Sequence, residues 1–295
     1  MISSTLRLNL INYINKLEIS ISNLIRKNYW NKGVSYARTL FALGILLNLL
    51  YNSNDDLILE LNHRLNYKDI EFYSVFQIFN NLEYSRLLSY LIALFVISGY
   101  LPRYSALLHL WLQFSFIISA KHIEGGDQAA YLFTLFILPL LLFDNRRNHW
   151  QKGKVNDNFY INTICFLFFV FSQIQFFIIY FIASVSKFSD INWKNGSALY
   201  YWFTEPVFGL NSALKEVVLP IFKSSYILSG STWLVLLLEL FIAFSVFYKN
   251  KKLKNFILYL GIIFHFLIGI VFGLWVFFLN MTGILLYIKY SSNEK

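Results

Sequence analysis

The sequence predicts an all-α, polytopic membrane protein, and three observations carry that prediction. Hydrophobic residues fill 57% of the 295 positions, charged residues only 14%, and the mean hydropathy is +0.52, a balance unlike that of an ordinary soluble domain. Several apolar runs reach roughly 17–25 residues, the length a helix needs to cross a bilayer. None alternates as the strands of a membrane β-barrel do. Hydrocarbon offers backbone groups no water, so such runs must close their hydrogen bonds inside a helix.

The first element is an N-terminal interfacial helix. Residues 1–33 show no short apolar core ahead of a small-residue cleavage site, so they do not read as a secretory signal. Leu10, Ile14, Leu17, Ile21 and Leu24 recur at helical spacing, with Lys16, Glu18, Arg26 and Lys27 between them. That pattern predicts an amphipathic helix lying in the membrane interface, with a partner-binding helix as the alternative. About eight transmembrane helices follow, at 34–51, 86–101, 103–120, 128–143, 159–183, 232–248, 255–273 and 275–290. Pro102 separates the second from the third, because proline cannot continue a helix without loss. Pro139 falls inside the fourth and should kink it. Only Gly273 and its neighbours divide the last two. With no repeat and no Pro- or Ser-rich linker, residues 34–290 form a single membrane domain, and 291–295 form a cytoplasmic tail.

Charge sets the orientation. Arg7, Lys16, Arg26, Lys27 and Lys32 precede the first span, Arg146, Arg147, Lys152 and Lys154 lie in 144–158, and Lys249, Lys251, Lys252 and Lys254 lie in 249–254. With these spans the basic segments come at every second or fourth crossing, on one side as one topology requires, so both termini are expected to be cytoplasmic. Residues 52–85, which carry Asp55, Asp56, Glu60, Asp69, Glu71 and Glu83, then face outward together with 121–127 and 184–231. The net charge of +9 implies membrane lipids as partners rather than nucleic acid, because the basic residues form no long tract.

Chemistry-bearing residues gather on the expected outward side. Lys187 comes about one turn after the fifth span. It is read either as a lysine snorkelling to the interface or as a desolvated amine able to act as a base or nucleophile. In KHIEGGDQ, Gly125 and Gly126 permit a tight turn and Asp127 stands where a helix cap belongs, although its carboxylate could also approach Lys187. Glu124 and His122 read as a solvated rim. Glu239 and His265 sit in the middle of apolar runs, where an ionisable group is functional by default but is equally a structural pair or a neutral core histidine. Arg38 is expected to pair with Glu239 or to snorkel inward, and His109 to pack. Cys165, the only cysteine, excludes an internal disulfide and a cysteine-based metal cluster. His109 and His122 are too far apart along a helix for a metal pair, so no metal is expected. The segment 184–231 carries Trp193, Tyr200, Tyr201, Trp202, Phe203 and Phe208. Within it SALYYWF and NSALKEVVLPIF read as short helices on the membrane face, forming an interface belt or the roof of a ligand cavity.

The run YFIASVSKFSDINWKNGSALYYW, with Lys187, Trp193 and Gly196, resembles the membrane domain shared by vitamin K-dependent γ-glutamyl carboxylases and their bacterial relatives, the horizontally transferred transmembrane (HTTM) domain. EGGDQ and FHFLIGI, which holds His265, also look like that family. GVSYARTLFALGILLNLLYN, the GGDQ turn and a length with little beyond the spans point within it to the sporulation-delaying-protein B (SdpB) branch. The resemblance covers about 30–290 and implies a bacterial cytoplasmic (inner) membrane protein. It implies a role in producing a secreted antimicrobial peptide (a bacteriocin) from its precursor peptide, beside a small SdpA-like partner protein. In the carboxylases the matching lysine deprotonates vitamin K hydroquinone, so the resemblance also implies a possible quinone cofactor and a base role for Lys187. The chain departs from the carboxylases in lacking a large domain after its spans, and the polar partners of their lysine are not clearly matched, Asp127 standing roughly where one belongs.

Three functions follow as expectations. The first is a maturation factor acting at an outward pocket with Lys187, Asp127, Glu239 and His265 as its reactive groups, and Arg38, Gly125, Gly126, Trp193, Gly196 and Trp202 lining it. The second is a quinone-linked peptide carboxylase or epoxidase. The third is a non-catalytic transporter or immunity protein.

Overall fold

The computed structural model describes residues 4–58, 73–79 and 81–291. Helix α1 spans Ser4–Ile25 and α2 Lys32–Tyr51. After the single turn α3, Asn54–Leu57, come α4 Leu82–Ser98, α5 Pro102–Ser119 and α6 Gly125–Leu142. The 29-residue α7 runs Phe159–Lys187, followed by three short helices, α8 Ile191–Lys194, α9 Ala198–Thr204 and α10 Ser212–Ile221. Helices α11 Ser225–Phe244, α12 Lys251–Phe272 and α13 Trp275–Ser291 complete the chain. Two isolated bridges, Ile58 with Ala120 and Tyr100 with Asn148, are the extended pairings outside helices among the described residues.

The all-α, polytopic architecture follows the expectation. Five described helices are long and apolar enough to cross a membrane: α2, α6, α7, α11 with its 3₁₀ extension to Phe247, and α12. Helix α13 is apolar but shorter, while α4 carries Glu83 and Arg86, and α5 carries Arg103, His109 and Gln113. Length and composition alone therefore establish five of the expected eight spans. Several ends differ from expectation. Helix α4 begins at Leu82 rather than 86, because Asn81 accepts a hydrogen bond from the Glu83 N–H and starts the helix there. Helix α7 continues to Lys187 rather than stopping at 183, and α11 starts at Ser225 rather than 232. Hydroxyl residues such as Ser184, Ser186, Ser229 and Thr232 are tolerated inside these helices although they lower the hydropathy by which the ends were judged.

The centre of the bundle is the antiparallel pair α2 and α13. Small residues let the two backbones approach. A Cβ on Gly33 would stand 2.9 Å from the Tyr287 carbonyl oxygen, one on Gly44 2.8 Å from Asn280, and one on Gly283 2.8 Å from Phe41. Around this pair Val34, Ala37, Phe41, Phe133, Ile137, Ile284, Leu285 and Ile288 are buried as one core. Helix α6 packs on α13, α7 on α6 and α11, and α12 on α13. Gly273, at φ +73°, ends α12 in the left-handed region and turns the chain into α13. The weak sequence boundary there is a true helix end.

The bundle has two dissimilar ends. One holds the start of α2, the end of α6 and the 143–158 segment, tied by Trp30 Nε1 donating to the Leu140 carbonyl at 2.6 Å and Asn28 Nδ2 to the Gly153 carbonyl at 2.9 Å. This is the basic end. The other holds α8 to α10, where Trp202 and Phe203 pack on Phe272. This is the aromatic end. Helix α1 packs against α7 and leaves Ile11, Ile14, Leu17, Ile21 and Leu24 exposed. Of the acidic residues expected in 52–85, Glu60, Asp69 and Glu71 lie outside the described residues.

Candidate functional site

Lys187 is the last residue of α7, and it meets Glu239 of α11. Its Nζ donates to Glu239 Oε1 at 2.6 Å, to Oε2 at 2.7 Å and to the Ala183 carbonyl at 2.9 Å. A lone carboxylate in an apolar run is costly unless paired, and a cation at the end of a long apolar helix is its available partner. The Lys187 side chain keeps 24% of its surface exposed against 7% for Glu239, so the pair is held inside but open on the lysine side. One turn along, Ser184 Oγ donates to the Leu236 carbonyl at 3.0 Å and fixes the register of α7 on α11.

Trp193 covers the pair, its ring centroid 5.3 Å from Lys187 Nζ in cation–π geometry. The single turn α8 sets that ring in place, and Asp190 caps it by accepting from the Asn192 N–H at 2.7 Å. Gly196 then reverses the chain at φ +75°, and a Cβ there would meet Ser229 of α11 at 2.7 Å. The sequence Lys-x₅-Trp-x₂-Gly thus folds into a clasp that carries Trp193 back over Lys187.

Two turns before Lys187 on the same helix, the Tyr180 hydroxyl and His265 Nε2 are 2.8 Å apart, both side chains buried. His265 Nδ1 has no hydrogen-bond partner, and the ring lies against Phe277. Phe277 in turn rests on Gly126, where a Cβ would come within 2.8 Å of the ring. Beside it, Asp127 is buried. The residue expected as the cap of α6 is instead its third residue, in a reciprocal capping box with Glu124. Asp127 Oδ2 accepts from the Glu124 N–H at 3.2 Å and Oδ1 from Asn280 Nδ2 at 3.1 Å. The carboxylate that reaches Lys187 is therefore Glu239 rather than Asp127. Asp127 and Glu124 line a cavity of about 690 Å³ together with His122, Tyr51, Trp275 and Phe278. Burial raises the Glu124 carboxyl above the usual carboxylate range.

Arg38 is not part of this end. Its Nη1 lies 3.2 Å from His149 Nδ1 and its Nη2 donates to Ser105 Oγ at 2.5 Å, so the expected pairing with Glu239 is replaced by a loop histidine and a helix hydroxyl at the basic end. The reason is direction: α2 starts at the basic end, and Arg38 is only two turns into it. There Arg146 forms a salt bridge with Asp144 at 2.7 Å and donates to the Trp30, His149 and Gln151 carbonyls. Burial, Arg38 and Arg146 push the His149 imidazole down to about 3, so it stays neutral and can accept from Arg38. Among the other expected lining residues, Trp202 packs on Phe272 at the aromatic end, and a Cβ on Gly125 would meet open space. Tyr180, Asn280, Ser105 and His149 were not singled out from sequence. Tyr180 was findable, because seven residues before Lys187 is the same helix face. Among the described residues no group of three His, Cys, Asp or Glu side chains is placed to hold a metal.

The HTTM domain family model matches residues 31–291. The Sporulation-delaying protein SdpB of Bacillus subtilis (strain 168) is 35% identical over 243 residues, which cover 81% of this chain and 75% of the relative. The uncharacterized protein YitO of the same organism is 28% identical over 279 residues, 92% of this chain and 90% of the relative. No solved structure matches the chain.

Proposed function

From its membership of the HTTM domain family, we propose that the chain is a membrane factor in the production of a secreted antimicrobial peptide, working at the aromatic end of the bundle. The observation that carries this reading is the Lys187–Glu239 pair beneath Trp193, in which Lys187 and Trp193 are among the residues by which the sequence resembles the family. The likeness to SdpB supplies the peptide side of the reading. In it, the aromatic end faces outward, both termini are cytoplasmic, residues 34–290 form one domain in a bacterial cytoplasmic membrane, and α1 lies along the surface. The precursor peptide docks in the cavity beside Asp127 and Glu124, and a small SdpA-like protein assists. The pair Tyr180–His265, through Phe277 and Gly126, joins that cavity to Lys187 and Glu239.

The site offers polar chemistry. Lys187 and Glu239 together can bind and orient an amide or carboxylate of the peptide, with Trp193 excluding water above them. A base role for Lys187, as in the quinone-linked carboxylases, requires the pair to open first, since its Nζ is engaged by both carboxylate oxygens. Deleting the gene and assaying the medium tests the reading: loss of active peptide is expected, restored by the intact chain and not by Lys187→Ala. Normal active peptide from the deletion strain would end it. Mass spectrometry of the peptide separates the carboxylase alternative, which requires the added mass of carbon dioxide.

A further inference from the structure

A second polar group lies deep in the bundle, away from the Lys187 site. Arg38 of α2, His109 of α5 and Thr134 of α6 converge on a cavity of about 10 Å³ whose remaining wall is Phe41, Ala106, Ile137 and Leu141. Arg38 and His109 are each 1% exposed and Thr134 5%. Each of the three carries a buried atom without a hydrogen-bond partner: Arg38 Nε, His109 Nε2 and Thr134 Oγ1. Three such atoms on residues that line one small cavity call for a partner, because buried polar groups are nearly always satisfied.

Thr134 makes the case sharper. A hydroxyl inside a helix ordinarily falls back on the carbonyl four residues before it. Ser89, Ser115, Thr163 and Ser172 all do so in this chain, at 2.7–2.9 Å. Thr134 does not, and neither do Thr39, Ser85, Thr232 and Thr282; Thr134 differs from those four in lining the same cavity as Arg38 and His109. The volume decides what fits. About 10 Å³ is the space of one water-sized probe, at the threshold for holding a water and too small for a larger anion. The chemistry agrees: Arg38 Nε can only donate, the threonine hydroxyl both donates and accepts, and a neutral imidazole nitrogen does either. Water can accept from the first and donate to one of the others.

We propose that the protein binds one structural water molecule here, bridging α2, α5 and α6 through Arg38, His109 and Thr134. That water gives Arg38 a third kind of partner beside His149 and Ser105, so that a buried guanidinium is held without a carboxylate in direct contact.

The full-length protein in nanodiscs tests this at a resolution where ordered waters are visible. A density peak within about 2.7–3.2 Å of all three atoms is expected. A map that resolves these side chains and other waters, with no peak here or with Thr134 rotated onto the Ala130 carbonyl, overturns it. Two variants give an independent reading. Thr134→Ser keeps the hydroxyl and should keep the peak and the melting temperature. Thr134→Val keeps the shape, and should lose the peak and melt several degrees lower. Equal melting of both variants and the unmodified protein contradicts the proposal.

Discussion

The two ends of the bundle solve the same problem differently. Each holds a cation in an apolar setting. At the basic end, Arg38 is 1% exposed, is met by His149 and Ser105, and sits beside Arg146, which spends its donors on Asp144 and three backbone carbonyls. Nearly everything there points inward, and the 143–158 segment closes over it. At the aromatic end, Lys187 has one carboxylate, one backbone carbonyl and one indole face, and a quarter of its side chain remains open. An enclosed network fixes helices in place, whereas an incompletely enclosed pair can exchange partners with an incoming group. On the proposed reading the first end is scaffold and the second is where a substrate acts.

That contrast breaks first at Arg38. Arg38→Met should cost about 2–4 kcal/mol, because buried His149 and Ser105 lose their shared partner. Arg38→Lys should rescue little of it, since an ammonium cannot span both sides. Thermal unfolding in detergent measures both, and a change below about 1 kcal/mol would remove the scaffold role.

Acid should weaken the same end. The folded-state His149 value of about 3 lies below its ordinary 6.5, so between these limits the unfolded chain binds a proton that the folded chain refuses. Stability is therefore full above pH 6.5 and is lost as pH falls towards 3. Melting temperatures across that window check it, and His149→Gln should flatten the profile.

The aromatic end should respond less in stability. Gly126→Ala drives a methyl into Phe277 at 2.8 Å and should cost about 1–3 kcal/mol, with His265 displaced along with the ring. Smallest of all, a double-mutant cycle on Lys187→Met and Glu239→Gln should return a stability coupling of only about 1 kcal/mol, because the lysine is partly solvated. A coupling several times larger would erase the distinction between the two ends.

Much of this was legible in sequence. The apolar runs gave the all-α class, the SALYYWF and NSALKEVVLPIF segments are the short helices α9 and α10, and Lys187, Trp193 and Gly196 form one clasp. What was not legible is pairing across helices. Hydropathy places Glu239 inside a span but carries no information on which neighbour faces it, so Arg38 was its expected partner and Asp127 the carboxylate expected near Lys187. Asn280 and Ser105 read as ordinary polar interruptions, since only packing aims them at Asp127 and Arg38. Capping was half visible: GGDQ marked the start of α6, but Glu124 as the cap and Asp127 as its third residue depend on backbone geometry that composition does not encode.

The most direct test measures two quantities on one strain. Cells carrying Lys187→Ala in place of the natural chain are assayed for the amount of folded protein in the membrane and for active peptide in the medium. If the Lys187–Glu239 end is the working site and the Arg38 end the scaffold, membrane protein stays near its normal level while active peptide disappears. Active peptide at its normal level, or protein and peptide falling together as they should for Arg38→Met, would contradict it.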